Sequence, residues 1–144
     1  CSVSDPLIKH KIVKNEIEKN GYVLPKLIHP KAIISNDAII KTGSVIFPNA
    51  KIGPSSNIGY CAWIDYSTVI GHDVHIGQYS SIMPLSVILG NVGEKSFIGA
   101  SSLLHQSKSI GNNTFIGMGT TLVQNIKDNT KVVSIPKNIR TKNE

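Results

Sequence analysis

Residues 57–82 read NIGYCAWIDYSTVIGHDVHIGQYSSI, and isoleucine stands in this stretch at 58, 64, 70, 76 and 82. The beat of six runs on in both directions. Upstream it takes in Ile52, Ile46, Ile40, Ile34 and Ile28, and downstream Ile88. It then slips by two, because Val92 follows Ile88 after four residues, and resumes through Ile98, Leu104, Ile110, Ile116 and Leu122. Two residues before most aliphatic positions the side chain is small or β-branched, as at Ala50, Ser56, Ala62, Thr68, Ser80, Ser96 and Thr114. Glycine often follows it, as at Gly53, Gly59, Gly71, Gly77, Gly99, Gly111 and Gly117.

Internal repetition decides a fold before any local signal does. An α-helix cannot use this period, since six residues would rotate each apolar position by about 120° around the axis. A triangular coil can. Each unit supplies one short strand and one corner, and three units close a turn whose strands stack at the ~4.8 Å strand spacing. The aliphatic and small residues point into the prism, and glycine is expected to relieve the backbone at the bend. The expected fold is all-β: a parallel β-helix of about five coils over residues 28 to about 125, with a polar tail from Lys127. Before it, residues 7–20 place Leu7, Ile8, Ile12, Val13 and Ile17 near one helical stripe, with Gly21 as terminator.

The chain has 144 residues, enough for one domain, with net charge +6 and pI ≈ 9.4. Its lysines are dispersed and its few aromatics do not interleave with them, so the basic surface suits a polyanionic small molecule better than nucleic acid. No apolar run approaches the ~20 residues of a membrane helix. Cys1 and Cys61 form no CxxC or zinc spacing, which suits free thiols in a reducing compartment such as the cytoplasm. A first residue that is Cys suggests missing upstream sequence, and also fits a mature lipoprotein.

Four stretches carry a narrower resemblance: LIHPKAIIS (27–35), STVIGHDVHIGQYSSI (67–82), LGNVGEKSFIGASSLL (89–104) and TFIGMGTTLVQNIKDNTKVVSIPKNI (114–139). From about residue 5 to 140 the chain resembles the left-handed β-helix hexapeptide-repeat acetyltransferases of the sialic acid O-acetyltransferase and UDP-4-amino-sugar N-acetyltransferase group. The resemblance implies an acetyl-CoA-dependent sugar acetyltransferase, cytoplasmic and homotrimeric, with CoA in a groove between neighbouring subunits and no metal. It implies that residues 1–26 are the remnant of an N-terminal nucleotide-sugar-binding domain, and 27–144 the catalytic β-helix with its tail. His72 matches the group's proton acceptor, and Asp73 the acidic residue that supports it. Gly90 matches a glycine whose N–H faces the acetyl carbonyl. Ala100, Gly117, Met118 and Gly119 match the wall of the pantetheine channel, and Lys137 a lysine that meets CoA phosphate.

Three departures stand out. Ser81 occupies the place of a second histidine that contacts the acetyl group. Asp65-Tyr66 replaces an Asn-Thr pair, which makes Asp65 a candidate acceptor contact. The loop after Gly90 is two residues short. His75 is expected to point away from His72; His105 lies on its side of the helix and reads as a surface histidine, with the CoA groove as the alternative. His10 and His29 read as structural. The other readings are an acyltransferase for serine or an antibiotic, a zinc enzyme like the γ-class carbonic anhydrases, and a non-catalytic scaffold. His72 and His75, three apart on an extended strand, argue against the zinc reading.

Overall fold

The computed structural model describes residues 3–133. Among the described residues, eighteen two-residue strands stack into three parallel sheets of seven, six and five strands. The first face runs from Leu27–Ile28 through Val45–Ile46, Trp63–Ile64, Ser81–Ile82, Phe97–Ile98 and Phe115–Ile116 to Lys131–Val132. The second runs from Ile33–Ile34 to Thr121–Leu122, and the third from Ile39–Ile40 to Ser109–Ile110. Like residues sit in register, as with Ile46, Ile64, Ile82 and Ile98 on successive strands. These aliphatics are buried almost completely and form a single column of core.

The solenoid has about six coils, one more than the beat predicts. The extra coil comes from a second two-residue slip. Ile126 follows Leu122 after four residues, bridges to Ile110 and is 9% exposed. Lys131–Val132 then stacks on Phe115–Ile116, so residues 127–132 continue the solenoid where a polar tail is expected.

Glycine's expected role is also corrected. The left-handed backbone at the corners falls two residues after the usual glycine position and is occupied by Asn49, Ser55, Cys61, Ser67, Asp73, Tyr79 and others. The glycines after the aliphatics answer to packing: a Cβ on Gly77 would lie 2.4 Å from the Gly93 carbonyl carbon one coil up. The inward small residues do more than save space. Ser44, Ser56, Ser80 and Ser96 donate through Oγ to the carbonyls of Gly59, Gly71, Gly93 and Gly111 at 2.8, 2.6, 2.6 and 2.7 Å. These bonds satisfy corner carbonyls that the short strands leave without a ladder partner.

The N-terminal helix covers Pro6–Ile12, with Asp5 as its cap accepting from the Leu7 and Ile8 amides, and continues in wider turns over Val13–Glu18. Its buried stripe is Pro6, Lys9 and Val13; Leu7 and Ile8, expected inside, are half exposed. The helix lies against the corner between the third and first faces. There Val13 packs with Cys61 and Tyr79, and His10 meets Tyr79 edge-on at 4.8 Å.

Candidate active site

The first slip cuts a notch into the prism. At the corner between the second and third faces a regular unit has four residues between strands, as with Gly71-His72-Asp73-Val74. One coil up only Leu89 and Gly90 lie between Val87–Ile88 and Asn91–Val92. Above them the corner is full again, with His105 to Lys108. The missing residues leave a cavity of about 380 Å³ with His72 and Asp73 below, Leu89, Gly90 and Asn91 behind, and Gln106, Ser107, Lys108, Ser109 and Asn125 above.

His72 and Asp73 stand at its mouth, both well exposed, with Nδ1 of the imidazole 2.7 Å from Oδ2 of the carboxylate. A carboxylate accepts, and the tautomer that satisfies this contact carries its proton on Nδ1 and turns the Nε2 lone pair outward. The backbone assists. Asp73 sits at φ 56°, a conformation in which Asp and Asn are favoured among side-chain-bearing residues, and its N–H donates to the Pro54 carbonyl at 2.9 Å.

Gly90 is buried, and a Cβ there would collide with the Lys108 carbonyl at 2.0 Å, so only glycine lets the shortened corner seat under the full one. Its N–H donates to no group among the described residues. Asparagine repairs the ladder where the corner is cut. Asn91 Oδ1 accepts from the His75 amide at 2.8 Å, and Asn125 Oδ1, at the second slip, from the Ser109 amide at 2.9 Å.

The other expected residues fall elsewhere. Ala100, Gly117, Met118 and Gly119 stack at the corner between the first and second faces, where the Gly119 amide donates to the Ala100 carbonyl at 2.8 Å and Met118 is 75% exposed. Asp65 belongs to the same corner lower down. It is 8% exposed, and its carboxylate accepts from Trp63 Nε1 at 3.1 Å and the Tyr66 amide at 2.8 Å. Ser81 lies on the first face beneath the N-terminal helix, fully buried. Within one chain, then, only His72, Asp73 and Gly90 are brought together. Lys137 lies outside the described residues.

His105 begins the corner above the cavity but turns Nδ1 to the Gln106 carbonyl at 2.7 Å. His75 is exposed on the third face, in a separate cleft with Lys41 and Glu94. His29 Nδ1 accepts from the Lys31 amide at 3.1 Å. Among the described residues no three of His, Cys, Asp and Glu gather at one point.

No protein-family model and no curated protein sequence matches the chain. Solved structures do. A histidine-to-alanine variant of GDP-perosamine N-acetyltransferase from Caulobacter crescentus, in complex with CoA and GDP-perosamine, superposes with a TM-score of 0.88 at 25% identity, over 98% of this chain and 68% of that one. The acetyltransferase domain of PglB from Neisseria gonorrhoeae, in complex with acetyl coenzyme A, gives 0.68 at 28% identity, over 90% and 64%. The chain has the left-handed β-helix of the hexapeptide-repeat acetyltransferases. WeeI from Acinetobacter baumannii shares the fold at a TM-score of 0.81 and 17% identity, over 92% and 66%. A superposition of this quality fixes the hand of the helix, because a mirror-image solenoid would not overlay.

The sequence reading missed Gln106, Ser107, Lys108 and Asn125 as cavity residues. The available signal was the slip itself: a unit two residues short must leave a gap beneath the next full corner.

Proposed function

We propose that the chain is an acetyl-CoA-dependent sugar acetyltransferase in which His72 is the general base. The observation that carries this reading is the His72–Asp73 pair at the mouth of a notch whose rear wall holds the free N–H of Gly90. The neighbouring structures support it with CoA, acetyl-CoA and a nucleotide-linked amino sugar.

The acceptor's amino group attacks the thioester carbonyl while His72 Nε2 takes its proton. Asp73 holds the ring in the tautomer that can receive it and stabilises the imidazolium that forms. The Gly90 N–H donates to the oxygen that gains charge. Collapse of the adduct breaks the C–S bond, and the proton passes from His72 to the departing thiolate. The products are acetylated sugar and CoA with a free thiol. A sugar hydroxyl can be acetylated by the same base in the same way.

The remaining site residues support a homotrimer. Met118 and Gly119 lie on one edge of the second face and His72 on the other, and between them Val69, Val87 and Leu103 present a half-exposed apolar strip. Threefold packing would bring the Met118 corner of one subunit to the His72 corner of the next, with CoA between them and Ala100 and Gly117 lining its channel. Ser81 and Asp65, as acetyl and acceptor contacts, would have to be uncovered from their present partners. Residues 1–26 would be the end of the domain that holds the nucleotide, and dependence on acetyl-CoA suits a cytoplasmic enzyme.

The test is thiol release from acetyl-CoA with a panel of nucleotide-linked amino sugars and sialic acid. Turnover with at least one sugar is expected. Acetyl-CoA binding without turnover of any sugar would reject the acceptor class, and no binding at millimolar ligand would reject the enzyme.

A further inference from the structure

Among the described residues, Lys108 is the one lysine or arginine that lines the His72 cavity. It belongs to the full corner above the notch. Its carbonyl accepts from the Asn91 amide at 3.2 Å, and its backbone rests directly on Gly90. The lysine is half buried, whereas His105, Gln106 and Ser107 before it are exposed. It makes no ion pair among the described residues, and the cavity's single carboxylate, Asp73, is already engaged by His72. The other groups above the notch, Gln106 and Asn125, bring amide donors. A lysine without an ion-pair partner beside neutral donors is a site for an anion.

We infer that Lys108 holds an anionic group of the acceptor sugar and so restricts the enzyme to charged acceptors. This rests on the acetyltransferase reading above. The anion cannot be a CoA phosphate, because a thioester placed at His72 leaves the phosphates at the far end of the pantetheine arm. A negative charge within reach of both Lys108 and the reacting nitrogen belongs to the acceptor, as a diphosphate on the anomeric carbon or as a sugar carboxylate.

The experiment compares wild type with Lys108→Gln and Lys108→Arg on three acceptors: a nucleotide-linked amino sugar such as GDP-perosamine, a sugar carboxylate such as sialic acid, and an uncharged amino-sugar methyl glycoside. Wild type should prefer a charged acceptor at least tenfold in kcat/KM, and whichever of the two is preferred names the anion. The preference should weaken as salt is raised. Lys108→Gln should abolish it by raising the acceptor KM, Lys108→Arg should keep most of it, and neither should move the KM for acetyl-CoA more than about twofold. Equal loss on charged and uncharged acceptors, or a shift in the acetyl-CoA KM alone, would overturn the inference. A second readout needs no turnover: phosphorus NMR of inorganic pyrophosphate should broaden with wild type and far less with Lys108→Gln. Broadening that depends on Lys108 in a protein that acetylates no sugar would leave the anion site standing and reject the acetyltransferase reading. Equal broadening by both proteins would reject the anion site.

Discussion

The ammonium of Lys9 is buried beneath the N-terminal helix, 2.8 Å from the Ser81 hydroxyl and 3.4 Å from the Ser80 carbonyl. Burial lowers its pKa to about 7, with Cys61 and Asp5 opposing the shift. An unfolded chain restores the value near 10.5. Between these values the unfolded state binds more protons, so stability must rise with pH, by up to about 1.4 kcal/mol per pH unit. Burial raises the Cys61 thiol, and the Tyr60 and Tyr79 phenols are raised as well, so above pH 9 these groups act the other way. The clean window is therefore pH 7 to 9. Lys9→Met should be more stable than wild type at pH 7, and the gap in urea midpoint should close towards pH 9. A gap independent of pH would show that Lys9 stays charged in the folded protein, with a pKa near its ordinary value.

Two glycine substitutions separate packing from backbone conformation. Gly77→Ala drives a Cβ into the backbone of the next coil and should cost several kcal/mol. Gly119→Ala meets nothing within 4 Å but sits at φ +66° and should cost only about 1 kcal/mol. Thermal unfolding of the pair checks the ranking.

The serine ladder gives a third prediction. Ser96 Oγ donates to the Gly111 carbonyl and accepts from the Thr114 amide at 3.0 Å. Ser96→Ala strands both buried groups and should destabilise by about 1–3 kcal/mol, although alanine fits the space. Unfolding midpoints unchanged within error would mean that water replaces the hydroxyl.

Most of the fold was legible because one period controls it. An inward aliphatic every six residues leaves few alternatives, and Ile28 to Ile88 needed no further signal. The period failed where corners are cut. The slip at Val92 was visible because Ile98 and Ile110 resume the beat, but the slip at Ile126 lies in NIKDNT, where polar residues mask the single inward aliphatic. The helix stripe departs from the expectation for a related reason: Lys9 is buried against Ser80 and Ser81, at the start of a first-face strand more than seventy residues away. At the site, His72, Asp73 and Gly90 were readable from the motif. Lys108 left only indirect traces, the slip beneath it and a lysine in the small-residue register two before Ile110.

The second face tests assembly. Leu103→Glu places a charge in the apolar strip between the two half-sites, on a side chain that points away from the prism core. It should convert a trimer into monomers by light scattering while far-UV circular dichroism stays that of a β-helix. A wild-type monomer at micromolar concentration would remove the shared groove.

A positioned general base contributes about 10²–10⁴ in rate. His72→Ala should therefore lose that much kcat while its melting temperature and acetyl-CoA affinity stay near wild type, since the side chain is exposed and outside the core. Asp73→Asn should lose less, because Asn keeps the left-handed backbone and only the ring's orientation and basicity suffer. The measurement is steady-state kinetics of His72→Ala with the true acceptor, under conditions where chemistry limits the rate. A loss of at least about a hundredfold in kcat is expected; a variant that keeps more than about a tenth of wild-type kcat would remove His72 from the role of base.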